Sequence, residues 1–290
     1  MATAGTAAAT RVTAAKWAAV RTALLDATGR FGRLVAAAPP AAMATKDWTV
    51  ADTAAHVCGI ASNYTAMVVA DNAPRPLPEV TKHLLSTTVE NIHTGLNPTL
   101  LRTFPERDPA RLAVLLKEAV RQILALTADA DPERLVTWLG GSKLPLAGLL
   151  AHLTNELMVH GRDIAERTRV PWSIPEEYAA LFFELFLVEI IRNDVGVLLD
   201  EAGPPRPGRI AVEFRSAFTA PVTIVVRDGA VSVEDAAGRP DVRIRFRPVG
   251  LDLMLFHRLG RIRTLLAGAV RVRGPRPWLL LPFLRKVRLP

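Results

Sequence analysis

The chain changes its hydrophobic period once, and that change constrains the architecture more than any other feature. Up to about Asp194 the apolar residues recur at three and four positions, the repeat of helices with one buried stripe, and no convincing strand interrupts them. The stretch Asp200 to Arg209, DEAGPPRPGR, cannot continue a helix, because its prolines lack the backbone donor and fix φ. Beyond it the period becomes two. Ile210 to Phe214, Val222 to Val226, Val231 to Val233 and Val242 to Phe246 alternate apolar and polar residues, and Asp228-Gly229 marks a hairpin turn. Leu251 to Leu266 and Trp278 to Val287 then return to helical spacing around a short strand at Val270 to Val272. The expected fold is an all-α, four-helix-bundle-like domain over residues 1–199, a linker at 200–208 and a small α+β domain over 209–290. Helices are expected at 11–36, 50–71, 78–95, 109–128, 145–168 and 175–194. Thr49 with Asp52 forms a capping pair for the second, and Pro175 starts the last.

A chain of 290 residues, half of them hydrophobic, can bury more than one core. Its most apolar stretch, Ala179 to Ile191, is interrupted by Glu184 and Glu189, so no membrane span is expected. Cys58 is the only cysteine, which excludes an internal disulfide and any multi-cysteine metal site and fits a reducing compartment. The first twenty residues lack the apolar core and processing site of a secretory signal, and a cytoplasmic location is expected. From Leu251 onward, nine basic residues against Asp252 alone account for the whole net charge of +8. Such a tail suits an anionic ligand or weak contact with an anionic membrane, or is only a solvated face. No aromatic residue alternates with these arginines and no zinc-finger or helix-turn-helix spacing occurs, so no nucleic-acid partner is expected.

One segment has the residue types for chemistry. LLAHLTNELMVHGRDIAE, Leu149 to Glu166, sets His152, Glu156 and His160 at successive steps of four. Each step is about 40° around the helix and about 6 Å along it, so neighbours can share one metal ion. His152 and His160, about 12 Å apart along the axis, cannot both do so with ease. Leu146, Leu149, Leu150, Leu153, Leu157 and Ile164 form one stripe; His160 falls within it, Glu156 at its edge and His152 further toward the polar side. Glu156 and His160 therefore face the interior, where a bare carboxylate is costly unless it meets a metal, its neighbouring histidine or a buried arginine. Spacing leaves these alternatives open. His56, in WTVADTAAHVCGIASNY, flanks the stripe of Val50, Ala54, Val57, Ala61, Tyr64 and Val68. Cys58 lies about 200° around from His56 and reads as a buried small side chain. His83, His93 and His257 have no partner at ligand spacing.

Together, Trp48-Thr49-Val50 with Asp52, Ala55-His56-Val57, Asn155-Glu156-Leu157, Val159-His160-Gly161-Arg162-Asp163-Ile164-Ala165 and Pro171-Trp172-Ser173-Ile174-Pro175 resemble the mycothiol-dependent maleylpyruvate isomerase family, part of the DinB-like group of metal-dependent helical bundles. The resemblance covers roughly residues 10–195. It implies that His56, Glu156 and His160 bind one divalent metal, zinc in the family, and that mycothiol is the thiol cosubstrate. The family chemistry is reversible thiolate addition to a cis double bond, converting maleylpyruvate to fumarylpyruvate, and related members transfer the thiol to other small electrophiles. Nothing in the sequence selects among these substrates. The usage of 30 Arg against 6 Lys, with abundant Ala, fits the high-GC genomes that encode mycothiol synthesis. The second domain looks like the sterol carrier protein type 2 fold, which implies an apolar ligand. A lipid- or sterol-binding carrier whose helical domain keeps a structural metal is therefore the alternative to a metal- and mycothiol-dependent isomerase or S-transferase.

Overall fold

The structure, a computed structural model, describes residues 11–70, 73–200, 207–234 and 238–287. Most of the expected linker, 200–208, and Arg288 lie outside them. Four long helices form the bundle: α1 (Ala14–Ala37), α2 (Val50–Met67), α5 (Pro109–Leu126) and α6 (Leu146–Thr168), with the short α3 (Pro78–Leu84) and α4 (Asn97–Thr103) between the second and third. Local chemistry sets their ends. Thr13 accepts from the Lys16 amide, Asp108 accepts from the Arg111 amide with Pro109 in the first turn, and Thr49 and Asp52 close the expected capping box. α1 packs against α5 and α6, and α2 against the same two.

Three departures from the sequence pattern have local causes. The expected helix 78–95 stops at Leu84, because the Ser86 and Thr87 hydroxyls bond back to the His83 carbonyl and compete with the helical ladder. A five-residue π-helix, Ile92–Leu96, then leads into α4. A two-stranded ribbon of β1 (Leu135–Thr137) and β2 (Lys143–Pro145) is present where no strand was expected; each strand is too short for alternation to register. Its loop turns through Gly140 and Gly141, both at positive φ, and a Cβ at Gly140 would stand 2.7 Å from the Leu198 amide nitrogen and 2.8 Å from the Thr87 carbonyl oxygen. The expected helix 175–194 is one run with an irregular middle: α7 (Glu176–Leu181), a π segment Phe182–Val188, and α8 (Glu189–Asn193).

The second region is a five-stranded sheet of β3 (Arg209–Arg215), β4 (Val222–Arg227), β5 (Ala230–Glu234), β6 (Val242–Phe246) and β7 (Val270–Arg273). Its order is β5-β4-β3-β6-β7, antiparallel except for the parallel β3–β6 pair. Asp228 and Gly229 both adopt positive φ, as the tight hairpin between β4 and β5 requires. The register aligns Val212 with Ile224 and Val242, and Phe214 with Ile244, so one face is continuously apolar. On the other face Arg243 lies opposite Arg273 and Arg245 opposite Arg271, all exposed. Part of the basic excess thus belongs to the outside of a sheet, while Arg258 and Arg276 pair with Asp163 and Asp241.

Two helices follow β6 where one was expected, α9 (Pro248–Leu255) and α10 (Arg261–Leu266). They are separated at His257, which has φ 60°. The last helix is α11 (Leu280–Lys286). The apolar sheet face meets the helical region through Phe183, whose ring centroid lies 5.7 Å from that of Phe214 and 4.8 Å from that of Phe246. No helix among the described residues is long and apolar enough to cross a membrane.

Helix α6 carries two glycines at close approaches. A Cβ on Gly148 would fall 2.4 Å from the Leu185 carbonyl oxygen, and one on Gly161 would fall 2.2 Å from the Trp172 ring, which is fixed by its indole N–H donating to the Met158 carbonyl. The obstacle at Gly148 is backbone, so Gly148→Ala should lower stability by about 1–3 kcal/mol despite the better helix propensity of alanine. Urea unfolding checks this: an unchanged or raised midpoint would show that the two helices can separate freely.

Candidate metal centre

The centre forms where α2 faces α6. His56, one and a half turns into α2, and Glu156 and His160, one turn apart on α6, offer ligand atoms that all lie within 4.8 Å of one another. His56 Nε2 is 3.5 Å from Glu156 Oε2, and His160 Nε2 is 3.3 Å from the same oxygen. These three residues, expected from sequence to act together, are brought together. His56, expected on a flank, is buried, as is His160. Glu156 Oε2 and His56 Nδ1 are buried without a hydrogen-bond partner. Two imidazole nitrogens converging on a buried carboxylate oxygen that has no hydrogen-bond partner are a donor set suited to a borderline divalent ion.

The His160 ring is oriented by a further group. His160 Nδ1 lies 3.2 Å from Asp163 Oδ2, which directs Nε2 inward. Asp163 is held in turn by Arg258, whose Nε and Nη2 donate to its two oxygens at 3.2 and 2.8 Å. Arg258 belongs to the second region, following α9, so the fold closes onto the centre through this pair.

His152 departs from the expectation that it faces the polar side. It is buried, because the β1–β2 ribbon and the π segment bring Trp138 and Phe186 against its ring at 5.0 and 4.8 Å. The Trp138 indole donates to the Tyr64 hydroxyl at 2.8 Å, and that hydroxyl lies 3.0 Å from His152 Nδ1. With Tyr64 donating to Nδ1, His152 presents Nε2–H to Glu156 Oε1 at 3.4 Å. It stands apart from the cluster of His56, Glu156 and His160 and supports the carboxylate from behind.

The electrostatics agree with this geometry. Burial pulls His56 and His152 below the usual imidazole range. Burial also opposes ionisation of Glu156, but the imidazoles of His160, His56 and His152 outweigh it and hold the carboxyl well below its ordinary range. For His160, burial is outweighed by Asp163 and Glu156, which raise it.

Trp48 packs on both histidines of the cluster, 4.7 Å from His56 and 6.0 Å from His160 between ring centroids. The centre opens into a cavity of about 250 Å³. His93 and Arg75 stand on its wall, whereas His83 and His257 do not. Sequence reasoning passed over Tyr64, Trp138 and the role of Arg258. Tyr64 stood in the stripe assigned to packing, and nothing local to Trp138 or Arg258 marks a partner so distant in the chain.

The facing helices α2 and α6 thus bring two histidines and a carboxylate together inside a helical bundle. Residues 22–165, just under half of the chain, match the family model of the mycothiol maleylpyruvate isomerase N-terminal domain. Among solved structures, the mycothiol-dependent maleylpyruvate isomerase is similar with a TM-score of 0.45 and 13% identity, covering 82% of this chain and 87% of that one. A histidine-to-alanine mutant of the enzyme with that name gives 0.46 and 14% over the same shares. No curated protein matches the sequence.

Cys58 faces away from the centre, its thiol 3.3 Å from the Leu112 carbonyl on α5, and burial pushes it up to about 12. A thiol so placed stays protonated and shielded at neutral pH. Native protein should therefore react with a disulfide reagent far more slowly than protein in denaturant. Rapid titration of the single thiol under native conditions would contradict this placement.

Proposed function

We propose that the chain is a metal-dependent, mycothiol-using isomerase or thiol S-transferase acting on an electrophile, with His56, Glu156 and His160 as the ligands of one zinc ion. The observation that carries this reading is the buried convergence of His56 Nε2, His160 Nε2 and Glu156 Oε2, the last without a hydrogen-bond partner. Held by these two histidines and one carboxylate, a zinc ion would supply the charge that lowers the pKa of a thiol and makes it nucleophilic at neutral pH. Glu156 supplies the negative charge that balances the cation. Asp163 fixes the His160 ring, and Trp48 screens the ligand histidines from water. The isomerase sense follows the family of the matched N-terminal domain, and maleylpyruvate-like acceptors come from the same source.

We assign residues 1–199 to the DinB-like domain and 209–290 to a sterol carrier-like domain, in a cytoplasmic protein. A second reading, a lipid or sterol carrier with a structural metal, is favoured by the apolar lining of the cavity on the sheet side. The thiol decides between them, because a carrier has no need of one.

His56→Ala, Glu156→Ala and His160→Ala should each abolish stoichiometric metal, whereas His152→Ala should retain it. Metal analysis of the purified variants tests this, and loss of metal confined to His152→Ala would assign the wrong pair. Asp163→Asn should keep the ion but weaken it about 10- to 100-fold, as expected for a residue that orients a ligand; competition with a chelator measures the change. Turnover of electrophiles should require added mycothiol, persist in Cys58→Ala and vanish on chelation. Full activity without any small thiol would overturn the enzyme reading.

A further inference from the structure

The cavity does not end at the three ligands. One continuous space has on its wall both His56, Glu156 and His160 of the helices and Phe214, Ile224 and Ile244 of the sheet. Its polar wall residues, among them Asn63, Arg75, Asn97 and Asn155, all come from the helical region, with the single exception of Arg258. Arg258 is already engaged by both oxygens of Asp163. Every other wall residue from the second region is apolar, as are those from Phe183 to Leu199.

This division of polarity restricts what can fill the space. A small dicarboxylate would lie at the ligand end and leave the rest empty, because a charged group placed against the sheet would lose its hydration without a partner. A hydrocarbon chain loses nothing there and gains the transfer of its methylenes out of water. The volume of about 250 Å³ falls just below the range usual for small-molecule sites, which suits one slender chain and little more.

We propose that the electrophile is an α,β-unsaturated carbonyl compound with a linear hydrocarbon tail, its double bond at the His/Glu/His end and its tail against the apolar face of the sheet. This assignment rests on the thiol-using reading above. The step is balanced without an oxidant: the thiol sulfur forms a bond to the β-carbon, the C=C π bond breaks, and the thiol proton ends on the α-carbon. Elimination after rotation about the new single bond returns the thiol and the isomerised alkene. The sheet domain then supplies substrate selection to the reaction instead of a separate carrier function.

The test uses the full-length, metal-loaded protein with mycothiol and a homologous series of unsaturated aldehydes from butenal to dodecenal. Binding is read separately, without thiol, by displacement of cis-parinaric acid with saturated alcohols of the same lengths. Affinity for the alcohols should rise about three- to fourfold per added methylene until the cavity is full, and KM for the aldehydes should fall in parallel. Ile244→Trp should move both optima to shorter chains. Leu284→Trp, on the half-buried last helix, does the same if Ile244→Trp fails to fold. Thiol-dependent turnover with no chain-length trend, unchanged by either variant, would overturn the tail assignment and leave the thiol reading intact. Chain-length-dependent binding with no thiol-dependent turnover of any aldehyde would overturn the thiol reading and the substrate assignment with it.

Discussion

The centre depends on one buried carboxylate. Glu156 lies among three imidazoles at 3.3–3.5 Å, in a place where an uncompensated negative charge would cost several kcal/mol. Two of those rings are steadied from outside, His160 by Asp163 and His152 by Tyr64, so their inward nitrogens are directed at the carboxylate. His56 has no such support on Nδ1 and is positioned by α2 and by Trp48. The result is a cluster in which two of the three rings are tied from outside, while His56 Nδ1 and Glu156 Oε2 have no hydrogen-bond partner. Glu156 Oε2, between two imidazole nitrogens at 3.5 and 3.3 Å, is the atom that such a cluster would offer to a cation.

The same carboxylate explains why α6 is placed so tightly. A helix presenting His152, Glu156 and His160 to one side must keep its register against its neighbours to within a fraction of an ångström. Gly148 and Gly161 allow backbone and indole to approach where any Cβ would intervene. The π segment Phe182–Val188 meets Gly148 through Leu185 and presents Phe186 to His152 and Phe183 to the sheet. One irregular stretch of helix therefore touches both the back of the centre and the second region. An ideal α-helix with the same residues would carry these aromatic side chains in a different rotation.

Much of this was legible in the sequence wherever the controlling interaction is local. The 3.6 and 2.0 periods located the long helices and the strands, Thr49 and Asp52 announced the start of α2, and Asp228-Gly229 announced the hairpin. The i, i+4 spacing placed Glu156 and His160 together, and the family pattern supplied His56. What escaped was decided by contacts distant in the chain. The break after Leu84 depends on hydroxyls bonding back to the chain, and the β1–β2 ribbon is too short to have a period. His152 is buried only because Trp138 and Phe186 cover it, and Arg258 reaches Asp163 from 95 positions away. A helical projection ranks side chains against their own helix and is blind to what a later segment lays over them.

The extension of the cavity beyond the centre follows from the proportions of the second region. Five strands at about 4.8 Å spacing make a sheet roughly 20 Å across. Its own helices α9 and α11 have eight and seven residues, about 10–12 Å each. α10 leaves Ile262 and Leu266 largely exposed, 76% and 84%, and so adds little cover. The apolar face is thus wider than its own helices can hide, and a domain of this size has little other core to compensate. The run from Glu176 to Asn193 covers the remainder, but it does so through bulky aromatic rings, with Phe183 seated on Phe214 and Phe246. Large rings meeting at a few points hold two surfaces apart between those points. The space they leave lies between the sheet and the helices, and the centre opens into it because α6 stands directly behind the same run.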